Sequence, residues 1–208
     1  MNNEEKTFYY STDEVKQIDE YVDGKNSKST HYFVSGEVRE VTEYVDGLPS
    51  KGTGYFVSGE VSQVVEIVNG FPLTKATHYH KTGEIDQILE FVDGKRSKEN
   101  FYHKTGEILA IKEYIDGNLS KATLHYKTGE VKQVDEWTDG KRSKITINYP
   151  AGEVKAIKEY VDGDVSRVTG YYQTGEVKEV DKYIDSNPSE VTIYYKTGEV
   201  KSNRKLLT

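Results

Sequence analysis

Glycine returns at a fixed interval along this chain, and that interval constrains its folding more than any other feature. Gly36, Gly59, Gly83, Gly106, Gly129, Gly152, Gly175 and Gly198 are 23 residues apart, except for 24 between Gly59 and Gly83, and Asp13 holds the equivalent place in the first copy. A period of this size means a repeat architecture whose units pack mainly on their neighbours. The stretch around each glycine also comes back, most fully as Tyr126-Lys-Thr-Gly-Glu-Val-Lys-Gln-Val-Asp-Glu-Trp-Thr-Asp-Gly-Lys-Arg-Ser-Lys144.

Within a unit, Thr123 to Tyr126 and Val131 to Thr138 are short runs rich in Val, Ile, Thr and Tyr, bounded by Thr-Gly and Asp-Gly. Runs of that kind with such boundaries signal β-hairpins, and no segment sustains a capped helical period. Nine copies of two strands predict an all-β chain, an elongated antiparallel β-meander of about 18 strands. The repeat domain is read as a single one over residues 8–200, with atypical first and last copies as caps. Residues 1–7 are read as an extension and 201–208 as a basic tail.

Comparison of columns within the chain carries the register further. Glu20, Glu43, Glu66, Glu90, Glu113, Glu136 and Glu159 precede the Asp-Gly turn, and Lys28, Lys51, Lys75, Lys98, Lys121, Lys144 and Arg167 follow it. In the eighth copy both signs reverse together, to Lys182 and Glu190, as a cross-strand ion pair permits. This sets Glu136 opposite Lys144 and predicts a three-residue Asp139-Gly140-Lys141 turn. The Thr-Gly connection then reads as a two-residue turn pairing Lys127 with Glu130. One odd connection per unit is needed, because side chains alternate faces and an even pair would flip every column. The extra residue near Phe71-Pro72-Leu73 is expected in a longer loop or bulge.

In that register one face carries Tyr126 and its equivalents beside Val131 and its equivalents. The other carries Tyr32 and its equivalents with Val41, Ile88, Val134, Ile157 and the Glu/Lys ladder. Both faces mix aromatic, β-branched and charged residues, which fits a single-layer or gently coiled sheet rather than a sandwich with one apolar face. Hydrophobic content of 35% against 30% charged is lean for a closed core, while 17 tyrosines argue against disorder.

Tyr126-Lys-Thr-Gly-Glu-Val131 followed by Glu136-Trp-Thr-Asp-Gly-Lys141 resembles the MORN repeat, in particular its bacterial variants of the YwqK antitoxin type, over about residues 8–200. The resemblance implies an elongated antiparallel sheet with a scaffold or binding role and supplies no catalytic residue. It also implies an alternative function as an antitoxin or immunity protein neutralising a partner toxin, for which an acidic surface would suit a basic partner.

No stretch is built for chemistry, so a non-enzymatic protein without cofactor or metal is expected. His78, His80, His103 and His125 sit in adjoining repeats. Equivalent positions there are about 10 Å apart, too far for ligands that must converge within a few ångströms. The row Glu37, Glu60, Glu84, Glu107, Glu130, Glu153, Glu176 and Glu199 reads as solvated charge after each turn. A calcium array would need more oxygen donors per site. Cysteine is absent, the net charge is −7, and neither a signal-peptide run nor a membrane-length apolar stretch occurs. These features point to a cytoplasmic protein and disfavour nucleic acid or an anionic bilayer as partner.

What is left is the aromatic rows. Tyr32, Tyr55, Tyr79, Tyr102, Tyr126, Tyr149, Tyr171, Tyr172, Tyr194 and Tyr195 form the candidate binding surface, since tyrosines on a rigid sheet bury a partner's side chains or stack on sugars. The partner expected is another protein, with a glycan as the alternative, and open ends would allow end-to-end self-association. The shape is directly testable: 18 strands at roughly 4.8 Å spacing would run about 85 Å if unrolled. Small-angle scattering should show a rod, whereas a radius of gyration near 17 Å, typical of a compact chain this long, would contradict it.

Overall fold

A computed structural model describes residues 2–68 and 73–206, and every regular element among them is a strand. The strands group into two compact units, Met1–Gly106 and Glu107–Thr208. The first holds β1 (Asn3–Tyr9), β2 (Val15–Val22), β3 (Lys25–Tyr32), β4 (Val38–Val45), β5 (Leu48–Tyr55), β6 (Val61–Ile67), β7 (Leu73–Tyr79), β8 (Ile85–Val92) and β9 (Lys95–Tyr102). The second holds β10 (Ile108–Ile115), β11 (Asn118–His125), β12 (Val131–Thr138), β13 (Lys141–Asn148), β14 (Val154–Val161), β15 (Asp164–Tyr171), β16 (Val177–Ile184), β17 (Asn187–Tyr194) and β18 (Val200–Lys205). In each unit consecutive strands pair antiparallel, giving the expected meander. Residues from Asn3 onward belong to β1, which pairs with β2, so residues 1–7 are more than an extension. Likewise Lys201 to Lys205 lie in β18, paired with β17.

The ladder register is as the paired sign reversal predicts: Glu136 faces Lys144 and Lys182 faces Glu190. The turns, however, exchange their expected lengths. Asp139-Gly140 is a two-residue turn, with Thr138 opposite Lys141 and positive φ at both Asp139 (51°) and Gly140 (74°). Those angles define the mirror-image turn whose twist matches that of paired strands. The eighth copy makes the same turn with Ser186 at φ 64° where other copies have glycine. There the Ser186 hydroxyl, on a residue held in a costly conformation, donates to Asp164 Oδ1 of the preceding copy at 2.9 Å.

The other connection is the three-residue one. The Gly129 N–H donates to the Tyr126 carbonyl at 2.9 Å, and the Tyr126 N–H donates to the Glu130 carbonyl at 2.8 Å. Lys127-Thr128-Gly129 therefore forms the loop, closed by Gly129 at φ 100°. A Cβ added there would meet nothing within 4 Å, so the backbone angle, not crowding, selects glycine.

Each hairpin also leaves one residue unpaired inside a strand. Between Glu136↔Lys144 and Trp137↔Arg142 it is Ser143, and between Leu124↔Gln133 and His125↔Val131 it is Lys132. The two bulges keep one hairpin odd and the other even, so every column returns to its own face after 23 residues. The Lys132 bulge also moves Val131 opposite His125, and Val38, Val61, Ile85, Val154, Val177 and Val200 opposite Tyr32, Tyr55, Tyr79, Asn148, Tyr171 and Tyr194. The valine column thus shares the face of the Tyr32 column, not that of Tyr126 as expected. Of the longer loop expected at Phe71-Pro72-Leu73, residues 69–72 lie outside the described residues. The ladder resumes beyond it at Glu66↔Lys75.

Buried side chains are few and small, among them Ala76, Leu89, Ala122, Ile145 and Val180. One column alternates Thr with Val or Ile from strand to strand: Thr146, Ile157, Thr169, Val180 and Thr192 face one another in turn. Stability therefore comes from cross-strand neighbours rather than a layered core. The bulged serine is pinned to the backbone. Ser143 Oγ donates to the Glu136 carbonyl at 3.1 Å, and Ser27, Ser50, Thr74, Ser120, Ser166 and Ser189 repeat the bond. Ser143→Ala should cost about 1 kcal/mol in chemical denaturation, while the same change at exposed Ser11 should be silent. Equal effects at the two sites would show that the hydroxyl does not hold the bulge.

Candidate functional site

Three tyrosines of the candidate surface bond within the sheet. Tyr126, Tyr149 and Tyr172 donate their hydroxyls to the carbonyls of Asn148, Tyr171 and Tyr194, one repeat onward, at 2.8 to 3.0 Å. The bulged Lys132 and Lys155 lie over the Tyr126 and Tyr149 rings at 5.9 and 5.8 Å, within cation–π range. In an earlier copy Asp86 replaces that lysine and His80 the tyrosine, and the contact becomes an ion-pair geometry at 3.3 Å. Tyr32, Tyr55, Tyr79, Tyr102, Tyr171 and Tyr194 are half-buried at strand ends. Tyr195, by contrast, is 49% exposed.

The carboxylate row has a local job. Glu37, Glu60, Glu84, Glu130 and Glu176 sit below the ordinary carboxylate range. The main cause in each is a bond from the Ser or Thr hydroxyl two residues earlier, and the second is the residue's own backbone N–H. The carboxylate thereby closes the turn it follows. Among the described residues, no group of three or more His, Cys, Asp or Glu side chains is placed to hold a metal ion.

On the face opposite the ladder, buried acids are matched with donors. Gln17 Nε2 donates to Asp19 at 2.8 Å, and Gln133 Nε2 donates to Asp135 at 2.6 Å with Arg142 3.2 Å away. Gln87 and Arg96 do the same for Glu99, at 2.9 and 3.1 Å. Asp181 breaks the pattern. The position two residues before it is Glu179 instead of Gln, Asp181 Oδ1 is buried without a partner, and Val168 and Val191 flank it. Burial first, and then the Glu179 charge, push its carboxyl above the ordinary value.

One row of exposed aliphatics stands just before the Asp-Gly turns and their equivalents. In the first unit Val45, Val68 and Val92 are 64%, 54% and 61% exposed; in the second, Ile115, Val161 and Ile184 are 68%, 63% and 57%. Alternation along the strand places this row on the ladder face, two residues from Glu136 and its equivalents. In the second unit the row and the ladder together border a groove of about 1110 Å³ that reaches from Ile115 on β10 to Glu190 on β17. Its ladder side runs Lys121, Glu136, Lys144, Glu159, Arg167, Lys182 and Glu190, and the hydroxyls that hold the bulges lie between the two rows. Seven strand spacings make it roughly 34 Å long. The signal in the sequence is a β-branched residue before each Asp-Gly step.

No family model matches this chain and no curated protein matches it. Among solved structures, accessory secretory proteins 1, 2 and 3 of Streptococcus pneumoniae align at 14% identity over 47% of this chain and 18% of that one, with a TM-score of 0.35. The Gap123 glycosylation-associated complex of Streptococcus agalactiae aligns at 16% identity over 50% of this chain and 20% of that one, TM-score 0.36. A Photorhabdus luminescens Tc holotoxin pore aligns at 9% identity over 98% of this chain and 14% of that one, TM-score 0.24. The chain thus spans about a fifth or less of each of these proteins, and likenesses this distant carry no argument about activity.

Asp181 gives a test of the opposite face. Because its carboxyl titrates above the ordinary value, the ionised form destabilises the fold, and stability rises as pH falls through the raised pKa. Asp181→Asn should therefore stabilise the protein at pH 7 by about 1 kcal/mol, because it removes a charge from a buried site beside Glu179. The gain should shrink in acid, where Asp181 is protonated. Thermal unfolding that shows Asp181→Asn destabilising at pH 7 would contradict the assignment.

Proposed function

We propose that this chain is a non-enzymatic repeat scaffold that binds another protein through the groove of its second unit. One observation carries the reading: Ile115, Val161 and Ile184 stand 57–68% exposed in a row beside a ladder of partly solvated ion pairs. Single exposed aliphatics are ordinary, but a row of them along a groove with a charged border has the composition of an interface, apolar at the centre and polar at the rim. An open furrow some 34 Å long suits a macromolecule better than a small substrate, which needs an enclosing pocket. The tyrosine rows support this indirectly, because Tyr126, Tyr149 and Tyr172 have their hydroxyls bonded inside the sheet and serve to hold repeats together.

The test is photo-crosslinking in cells that make the protein natively, with the reactive side chain placed at Ile115, Val161 or Ile184. Gln173, exposed in a turn away from the groove, serves as the control. A discrete protein adduct from the groove positions and none from Gln173 is expected. Absence of an adduct, or equal labelling at the control, would overturn the reading.

A further inference from the structure

We infer that the occupant of this groove is an amphipathic α-helix of the partner protein, and that its register is set by the adjoining cations Arg167 and Lys182; the inference rests on the binding role just proposed. The spacings carry it. A helix rises about 5.4 Å per turn and about 10.5 Å over seven residues. Ladder charges recur roughly every 4.8 Å, and the aliphatic row roughly every 9.6 Å, because it appears on alternate strands. A helix lying across the strands can therefore place one residue per heptad on Ile115, Thr138, Val161 and Ile184, meeting an aliphatic side chain at all but the second. Successive turns then meet successive ladder charges on its flank. The misfit of about 0.6 Å per turn stays within side-chain reach over four turns.

Other occupants fit less well. An extended peptide offers same-face side chains about 6.8 Å apart, matching neither spacing. It also finds no backbone to pair with, since β12 to β16 are bonded on both sides. A second copy laid face to face would match the spacing but would strip water from every ion pair of both ladders. A helix seats its apolar stripe and leaves its charges at the wet border.

The sign reversal then acquires a use. Along a strictly alternating ladder a helix could slide by two strands and meet the same charges again. Arg167 faces Lys182 directly, the one pair of like charges among the neighbouring ladder positions of β10 to β18. A helix with acidic residues on two consecutive turns is matched there and nowhere else in this ladder. Mismatched registers place like charges together, which is how charge patterns exclude wrong alignments.

The probes are designed helical peptides of about 20 residues, roughly 30 Å long, with leucine at every seventh position. One carries the acidic doublet, one strictly alternating charges, and one the doublet composition with prolines that forbid a helix. Binding is read by fluorescence anisotropy. The doublet helix should bind and should lose about tenfold in affinity with Val161→Asp. Against the Lys182→Glu/Glu190→Lys/Lys205→Glu protein, which keeps opposite charges facing each other and restores alternation through β18, preference should move about tenfold toward the alternating helix. Thermal unfolding checks that both variants fold. Equal or tighter binding of the proline peptide overturns the helix while leaving the groove a protein-binding site. Unchanged preference in the reversed protein overturns the register role, and failure of all three peptides overturns the inference. Groove-dependent dimers of the chain in light scattering would do the same by assigning the groove to a second copy. The cross-linking result decides the underlying reading separately.

Discussion

The unpaired residue in each hairpin is the constraint on which the rest of the structure depends. A strand has two faces and a side-chain period of two, so a repeat with an odd number of residues exchanges its faces at every turn unless something absorbs the odd step. Here two bulges and two turns of different length share that task. Ser143 shifts the register in one hairpin and Lys132 in the other, leaving Lys121, Glu136, Lys144 and Glu159 directly opposite one another. The ladder, the Thr/Val column and the exposed aliphatic row all follow from that closure. The hydroxyl of Ser143 and its equivalents is therefore a register device, and its bond to a backbone carbonyl holds the extra residue out of the ladder.

A sheet organised this way has little interior, and its polar residues take over work that a core does elsewhere. Tyrosine hydroxyls reach from one repeat to a carbonyl of the next, lysines cover the rings, and glutamates accept from turn hydroxyls. Each bond is modest. Because each repeats with the period, stability accumulates between neighbouring units, in the manner of other repeat proteins. Asp181 is informative against this background: the donor that Asp19 and Asp135 receive from Gln is replaced there by a second acid, and the cost is local.

The same economy bears on function. Side chains that satisfy one another are poor recognition elements, since a partner would have to displace a bond already made. That argues against the rows with the most aromatic area and for the exposed aliphatic row before the Asp-Gly turns. Ile115, Val161 and Ile184 touch little and stand beside charges that remain half in water, so covering them costs few existing bonds.

Much of the fold was legible in the sequence. The period, the two strands per unit and the pairing of Glu136 with Lys144 can all be read from columns, and the reversed pair Lys182/Glu190 locates the register because ion pairs act between side chains the sequence names. Turn lengths were not legible. Asp139-Gly140 and Thr128-Gly129 both allow two or three residues, and only the φ angles and the bonds to backbone carbonyls separate them. Ser143 was visible as a recurring hydroxyl, but its partner is the Glu136 carbonyl, which every residue type carries alike. For the same reason composition shows the hydroxyls of Tyr126, Tyr149 and Tyr172 and not the carbonyls they bond. Sequence alone determined which side chains share a column. Tertiary structure decided which columns are used up internally and which face solvent, because that depends on backbone groups that carry no sequence identity.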